Sequence, residues 1–119
     1  MSRRSDDLLV MDILESIEKI FQYTSGIEES AFAQNSEKTD AVIRNIEVIG
    51  EASGNLSEEF QSRHPEIPWS QIVAMRNRLI HGYFGVSLPT IWLVVASDLP
   101  ALYSQIKPLS KVPCGKICP

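Results

Sequence analysis

Apolar residues recur at helical spacing along most of the chain, and this periodicity constrains the fold more than any other feature of the sequence. Such spacing places apolar side chains on one face of a helix and charged side chains on the opposite face. The pattern predicts four main helices, over residues 6–23, 38–55, 69–80 and 89–107. No stretch shows the apolar–polar alternation that is typical of strands. The sequence therefore predicts an all-α fold, specifically an antiparallel up-and-down four-helix bundle.

Polar and proline-containing stretches separate or interrupt these helices. Residues 26–35 are polar enough to form a loop with one helical turn. Residues 56–63 predict a short extra helix that is capped by Asn55 or Ser57. Pro100 lies inside the last predicted helix, where it cannot donate a backbone hydrogen bond. We therefore expect a kink or a local break at Pro100.

The length and composition of the chain limit its organisation. The 119 residues fit one helical domain over 1–109, followed by a flexible tail over 110–119. Cys114 and Cys118 both lie in this tail, and two thiols alone do not complete a tetrahedral zinc site, so we expect no metal and no cofactor. No apolar run is long enough to span a membrane, and the acidic start lacks a signal-peptide core, which predicts a cytoplasmic protein. A domain this small buries more apolar surface by pairing, so we expect a homodimer.

Arg76 has an unusual position for a residue of a helical scaffold. Winding residues 70–81 as a helix puts it in the middle of an apolar arc. A guanidinium stays charged, so on an apolar face it needs a carboxylate, a phosphate or water beside it. Glu47 and Glu51 on the preceding helix are the expected intramolecular partners. Arg76 is therefore either an ion-pair residue that fixes helix packing or part of a functional site.

His81 and Tyr83 follow Arg76 at the predicted helix end and in a loop that Gly82 and Gly85 flank. Taken alone, His81 is consistent with a helix cap and Tyr83 with a half-buried aromatic residue. Together, arginine and histidine are sufficient for metal-free cleavage of RNA, because the substrate's own 2′-hydroxyl is the nucleophile. Histidine transfers protons near neutral pH, and arginine binds phosphate. The net charge of −4 argues against nonspecific coating of nucleic acid but allows a locally basic site.

Residues 76–83, RNRLIHGY, resemble the R-x4-H-x-Y motif of HepT-like toxins. These toxins belong to the HEPN superfamily of helical nucleotide-binding and ribonuclease domains. Three longer segments, at 41–52, 65–86 and 91–102, resemble the family in their order and spacing. The resemblance covers about residues 6–107.

The resemblance implies a metal-independent endoribonuclease that cleaves tRNA or mRNA as the toxin of a toxin–antitoxin pair. Arg76 and His81 are its implied catalytic residues. They lie in a homodimer whose two motif segments face each other, so that the apolar arc around Arg76 meets a second copy. The implied partner is a minimal nucleotidyltransferase antitoxin, which neutralises the toxin by attaching AMP to Tyr83. We assign cleft-lining or supporting roles to Asn77, Arg78, Arg44, Glu47 and Glu51.

Other interpretations are open at the level of sequence. For Arg44, Glu47 and Glu51, a solvated helix face is the alternative to a cleft. A noncatalytic module that binds nucleotide or a nucleotidyltransferase would use the motif only to recognise phosphate. A structural helical adaptor would pair Arg76 with a carboxylate and catalyse nothing.

Overall fold

Every regular element in the described part of the chain is helical, as the periodicity predicts. The computed structural model describes residues 4–81 and 87–110, with the backbone alone at 79–81. The α-helices are α1 (Asp6–Thr24), α2 (Glu29–Gln34), α3 (Ser36–Asn55), α4 (Glu58–Arg63), α5 (Trp69–His81), α6 (Leu88–Leu93) and α7 (Leu99–Ile106). A π-helical turn, Val94–Asp98, joins α6 to α7, and a 3-10 turn, Lys107–Leu109, follows α7.

Helix α3 packs against both α1 and α5, and α7 packs against α1. The residues between them are the apolar positions that recur every three to four residues in the sequence, and burying each aliphatic side chain contributes about 1.5–3 kcal/mol. The most deeply buried are Val10, Ile13, Ile17, Ile20, Val42, Ile49 and Ile106. The short helix α2 adds Phe32, which is fully buried and packs on Trp92 with ring centroids 5.3 Å apart. The amphipathic pattern therefore defines the core.

The connection between α3 and α4 is tied to α1. Ser57 is the cap of α4, as one of the two predicted residues, and its Oγ accepts a hydrogen bond from the Phe60 N–H at 3.1 Å. Asp6 in the first turn of α1 accepts from both the N–H and the hydroxyl of Ser57, at 2.9 and 2.7 Å. One carboxylate thereby joins the start of α1 to the start of α4.

The irregularity expected at Pro100 takes the form of a π-helical turn just before it. In this turn the N–H of Leu99 donates to the carbonyl of Val94, five residues earlier. Proline cannot donate to a carbonyl, and its ring crowds the preceding turn. A widened turn accommodates the ring, and α7 continues through Ile106. The last predicted helix therefore consists of two α-helical segments joined by a local change in helical pitch.

Helix α7 is also held to α1 by a polar contact. The hydroxyl of Tyr103 donates to Glu18 at 2.8 Å, and this hydrogen bond raises the pKa of Tyr103 above its usual value.

Within the described residues, no helix has the length and apolar character needed to cross a membrane. The tail with Cys114 and Cys118 lies outside the described residues.

Candidate functional site

Helices α3 and α5 approach each other closely at Gly50, and this contact positions Arg76. A Cβ atom at position 50 would overlap Cβ and Cγ of Arg76 and would touch the carbonyl oxygen of Ile72. Glycine leaves the space that the arginine stem fills. The stem lies against the backbone of α3, while the guanidinium extends past it, so that 29% of the side chain is exposed.

This contact gives an intramolecular reason for the position of Arg76. The family resemblance implies that the apolar arc around Arg76 meets a second copy. In the structure, Val73 and Arg76 of this arc face α3 of the same chain, and the absent side chain of Gly50 makes room for the arginine. A partner subunit is therefore not needed to explain why an arginine lies there.

The guanidinium of Arg76 is held by two neighbours. Its Nη2 donates to Oε1 of Glu51 at 2.5 Å, and its Nη1 donates to Oδ1 of Asn77 at 2.8 Å. The other Glu51 oxygen accepts from Nδ2 of Asn55 at 3.5 Å. Glu51 is 58% exposed, so the ion pair adds little to stability, and its main effect is to orient the guanidinium. The remaining N–H groups of Arg76 have no partner among the described residues and are available to a ligand.

Arg76 lies at the edge of an open groove of about 370 Å³ that runs over α3 between α1 and α5. We call it the α3 groove. Three arginines and three carboxylates line it, so their formal charges cancel. The charged residues are Arg4, Asp12, Arg44, Glu47, Glu51 and Arg76, and the others are Leu9, Val48, Ala52 and Asn55.

The structure brings together most of the residues that we singled out in the sequence. Arg44, Glu47, Glu51 and Arg76 line the α3 groove. Of the two carboxylates expected beside Arg76, Glu51 is the one bonded to it. Asn77 is exposed and reaches back to Arg76.

The other expected site residues do not lie in the described groove. Arg78 is exposed on α5 and is not among the residues that line it. His81 is the last residue of α5, and its side chain lies outside the described residues, as does Tyr83.

Sequence reasoning missed Arg4 and Asp12, which line the groove from the α1 side. Arg4 donates to both oxygens of Asp12, from Nε at 2.7 Å and from Nη2 at 2.9 Å. These hydrogen bonds raise the pKa of Arg4 above its usual value. No local pattern in the sequence indicates this pairing. Gly50 did carry a signal, because a glycine inside a helix is destabilising and indicates a close approach of two backbones.

The arrangement is suited to binding an anionic group beside Arg76. Arginine presents several donors in a plane, which matches the oxygens of a phosphate. In the part of the chain that the structure describes, no three His, Cys, Asp or Glu residues are placed to hold a metal ion.

Comparison with known proteins shows similarity over nearly the whole chain. The family model described as Ribonuclease HepT-like matches residues 13–109. "Probable ribonuclease HepT" of Thermococcus cleftensis is 41% identical over 109 residues, which cover 92% of this chain and 99% of that protein. "Putative RNase MJ1380" of Methanocaldococcus jannaschii is 36% identical over 107 residues, which cover 90% of this chain and 98% of that protein. No solved structure matches the chain significantly.

Proposed function

Because the chain belongs to the ribonuclease HepT-like family, we propose that it is a metal-independent endoribonuclease that acts as the toxin of a toxin–antitoxin pair. The observation that carries the proposal is the placement of Arg76 at the edge of the α3 groove, with donor groups left over for a ligand. Gly50, Glu51 and Asn77 orient its guanidinium before a phosphate arrives. Charge stabilisation by a preoriented donor is more effective than by one that must reorganise.

In the proposed reaction the 2′-hydroxyl of RNA attacks the adjacent phosphorus. The bond from phosphorus to the 5′-oxygen of the next nucleotide breaks, which leaves a 2′,3′-cyclic phosphate and a 5′-hydroxyl. His81 is the proposed residue that moves protons between these oxygens. Arg76 is the proposed residue that stabilises the negative charge on the phosphoryl oxygens.

Removal of metal ions should leave the activity unchanged. We expect the purified protein to cut RNA in excess EDTA, because substrate hydroxyl, histidine and arginine supply every step. Mass spectrometry should detect the cyclic phosphate on the products. The Arg76→Ala variant, purified in the same way, controls for a contaminating nuclease. Cleavage that stops in EDTA and returns with Mg²⁺ would contradict metal independence.

We propose further that the protein acts as a homodimer with the two motif segments facing each other. In the described part of the chain, Leu8 and Leu93 are the large apolar side chains that are most exposed, at 43% and 62%. A second copy would bring another Arg76 to the cleft. This pairing would raise the local positive charge around RNA on a chain that is acidic as a whole.

The proposed partner is a minimal nucleotidyltransferase antitoxin that attaches AMP to Tyr83. The phenolic oxygen of Tyr83 would attack the α-phosphorus of ATP, with pyrophosphate as the leaving group and the phenolic proton released. The attached nucleotide would place a phosphate charge and a base in the cleft and compete there with RNA.

Replacement of Tyr83 should abolish this modification. After incubation with the transferase, ATP and Mg²⁺, we expect AMP additions in the intact mass of the wild type and none in Tyr83→Phe. Tyr103→Phe is the matched control. Tyr103 lies on α7, outside the motif segment, and its hydroxyl is bonded to Glu18, so this variant should be modified like the wild type. Equal modification of Tyr83→Phe would remove Tyr83 from the proposal.

A noncatalytic module that binds nucleotide or the transferase is the second candidate. The bonds of Arg76 to Glu51 and Asn77 favour such a module, because a guanidinium held in this way can recognise phosphate without a proton-transferring group beside it. Expression without the transferase distinguishes the two. A ribonuclease toxin should arrest growth and lose this effect in Arg76→Ala, whereas a binding module should not arrest growth.

A further inference from the structure

Arg44 differs from the other two arginines of the α3 groove because it forms no ion pair with a described carboxylate. Arg4 is paired with Asp12, and Arg76 is paired with Glu51. Arg44 lines the groove and is exposed, and no ion pair involves it within the described residues. It is therefore the arginine of this groove whose charge no carboxylate among the described residues pairs with.

The position of Arg44 relative to Arg76 follows from the geometry of α3. Arg44 precedes Glu51, the carboxylate bonded to Arg76, by seven residues on one helix face. At about 1.5 Å of rise per residue, this separation is about 10.5 Å along the helix axis. A stacked nucleic-acid strand advances by about 3.4 Å per nucleotide. The interval along α3 between Arg44 and the Arg76–Glu51 ion pair thus corresponds to about three nucleotides of a stacked strand, or fewer in a stretched one.

We propose that single-stranded RNA lies along the α3 groove, an inference that rests on the proposed ribonuclease function. Arg44 binds a phosphate two to three nucleotides away from the scissile phosphate at Arg76. Arg44 is thus a substrate-positioning residue that makes the enzyme prefer RNA longer than a dinucleotide.

The charges of the groove favour a single strand over a duplex. Proteins that bind duplexes through shape use many cationic contacts to the two phosphate backbones. The three arginines of the α3 groove are balanced by three carboxylates, so the groove lacks a continuous positive surface. Two discrete contacts along the groove, at Arg44 on α3 and at Arg76 on α5, fit the phosphates of one strand.

Oligonucleotides of increasing length test the proposal. For the wild type we expect kcat/KM to rise steeply between dinucleotide and pentanucleotide substrates, since a pentanucleotide is the shortest that contains two phosphates three nucleotides apart. In Arg44→Ala, KM for the longer substrates should increase about tenfold with kcat unchanged, and cleavage of the dinucleotide should stay the same. The slope of log KM against log salt concentration should decrease in this variant by the amount that corresponds to one phosphate contact. Arg63→Ala is the matched control, since Arg63 is exposed on α4 and lines a separate cleft with Ser5 and His64.

Binding measurements keep this proposal distinct from the ribonuclease function. Fluorescence anisotropy with 2′-O-methyl RNA reports binding without cleavage, and Arg44→Ala should weaken it for a hexanucleotide and not for a dinucleotide. If neither the wild type nor Arg44→Ala cuts RNA but Arg44→Ala binds only the hexanucleotide more weakly, the ribonuclease function fails and the Arg44 contact stands. An equal loss at all lengths, or no loss at any length, would overturn the Arg44 contact. Duplex RNA bound as tightly as single-stranded RNA would overturn the choice of substrate.

Discussion

Arg76→Ala should lower the rate of RNA cleavage by about 10²–10³-fold, the loss that is typical when one donor to a developing negative charge is removed. The fold should be retained, because the ion pair that the substitution removes is with a carboxylate that is 58% exposed. Leu79 and Ile80 continue the apolar sequence of α5 beyond the substituted residue. The expected loss therefore belongs to the reaction rather than to folding.

Single-turnover cleavage and thermal unfolding measured on the same preparations check this prediction. Arg76→Lys should recover only part of the rate, because lysine keeps the charge but lacks the planar set of donors. Arg63→Ala removes an equal charge outside the α3 groove and should cleave like the wild type. Full activity of Arg76→Ala would exclude a catalytic role for this arginine.

His81→Ala should reduce cleavage by about 10²–10⁴-fold, since proton transfer to and from the reacting oxygens would be lost. The pH dependence of the rate near neutrality should disappear in this variant. The chain has two histidines, which makes His64→Ala the natural control. His64 packs on the ring of Phe60 with centroids 4.8 Å apart and does not line the α3 groove, so its removal should leave the rate and its pH profile unchanged.

Mixing the two inactive variants extends this experiment to the proposed dimer. If the cleft combines Arg76 of one protomer with His81 of the other, heterodimers of Arg76→Ala and His81→Ala contain one complete set. We expect mixing followed by subunit exchange to restore a fraction of the activity. Confirmed heterodimers without activity would show that each protomer carries its own site, and a monomer that cleaves at full rate would exclude a shared cleft.

The main helices were predictable because each one buries a single face. Apolar spacing in the sequence predicted α1, α3 and α5, since burial on one side imposes that spacing. The short helix α2 was expected only as one turn within a loop, because its single buried anchor, Phe32, sets up no periodicity. Pro100 indicated an irregularity, but the sequence alone does not distinguish a kink or a break from the π-helical turn, in which Val94 and Val95 are buried.

The sequence by itself determined the helical class, the core faces and the presence of a charged residue in the apolar arc of α5. These properties follow from the order of residues along one helix, where spacing alone decides which side chains share a face. Only the tertiary structure decided that Arg76 pairs with Glu51 rather than Glu47 and that Arg4 and Asp12 join the same groove. Contacts between helices depend on where their axes approach each other, and here the missing side chain of Gly50 sets that approach.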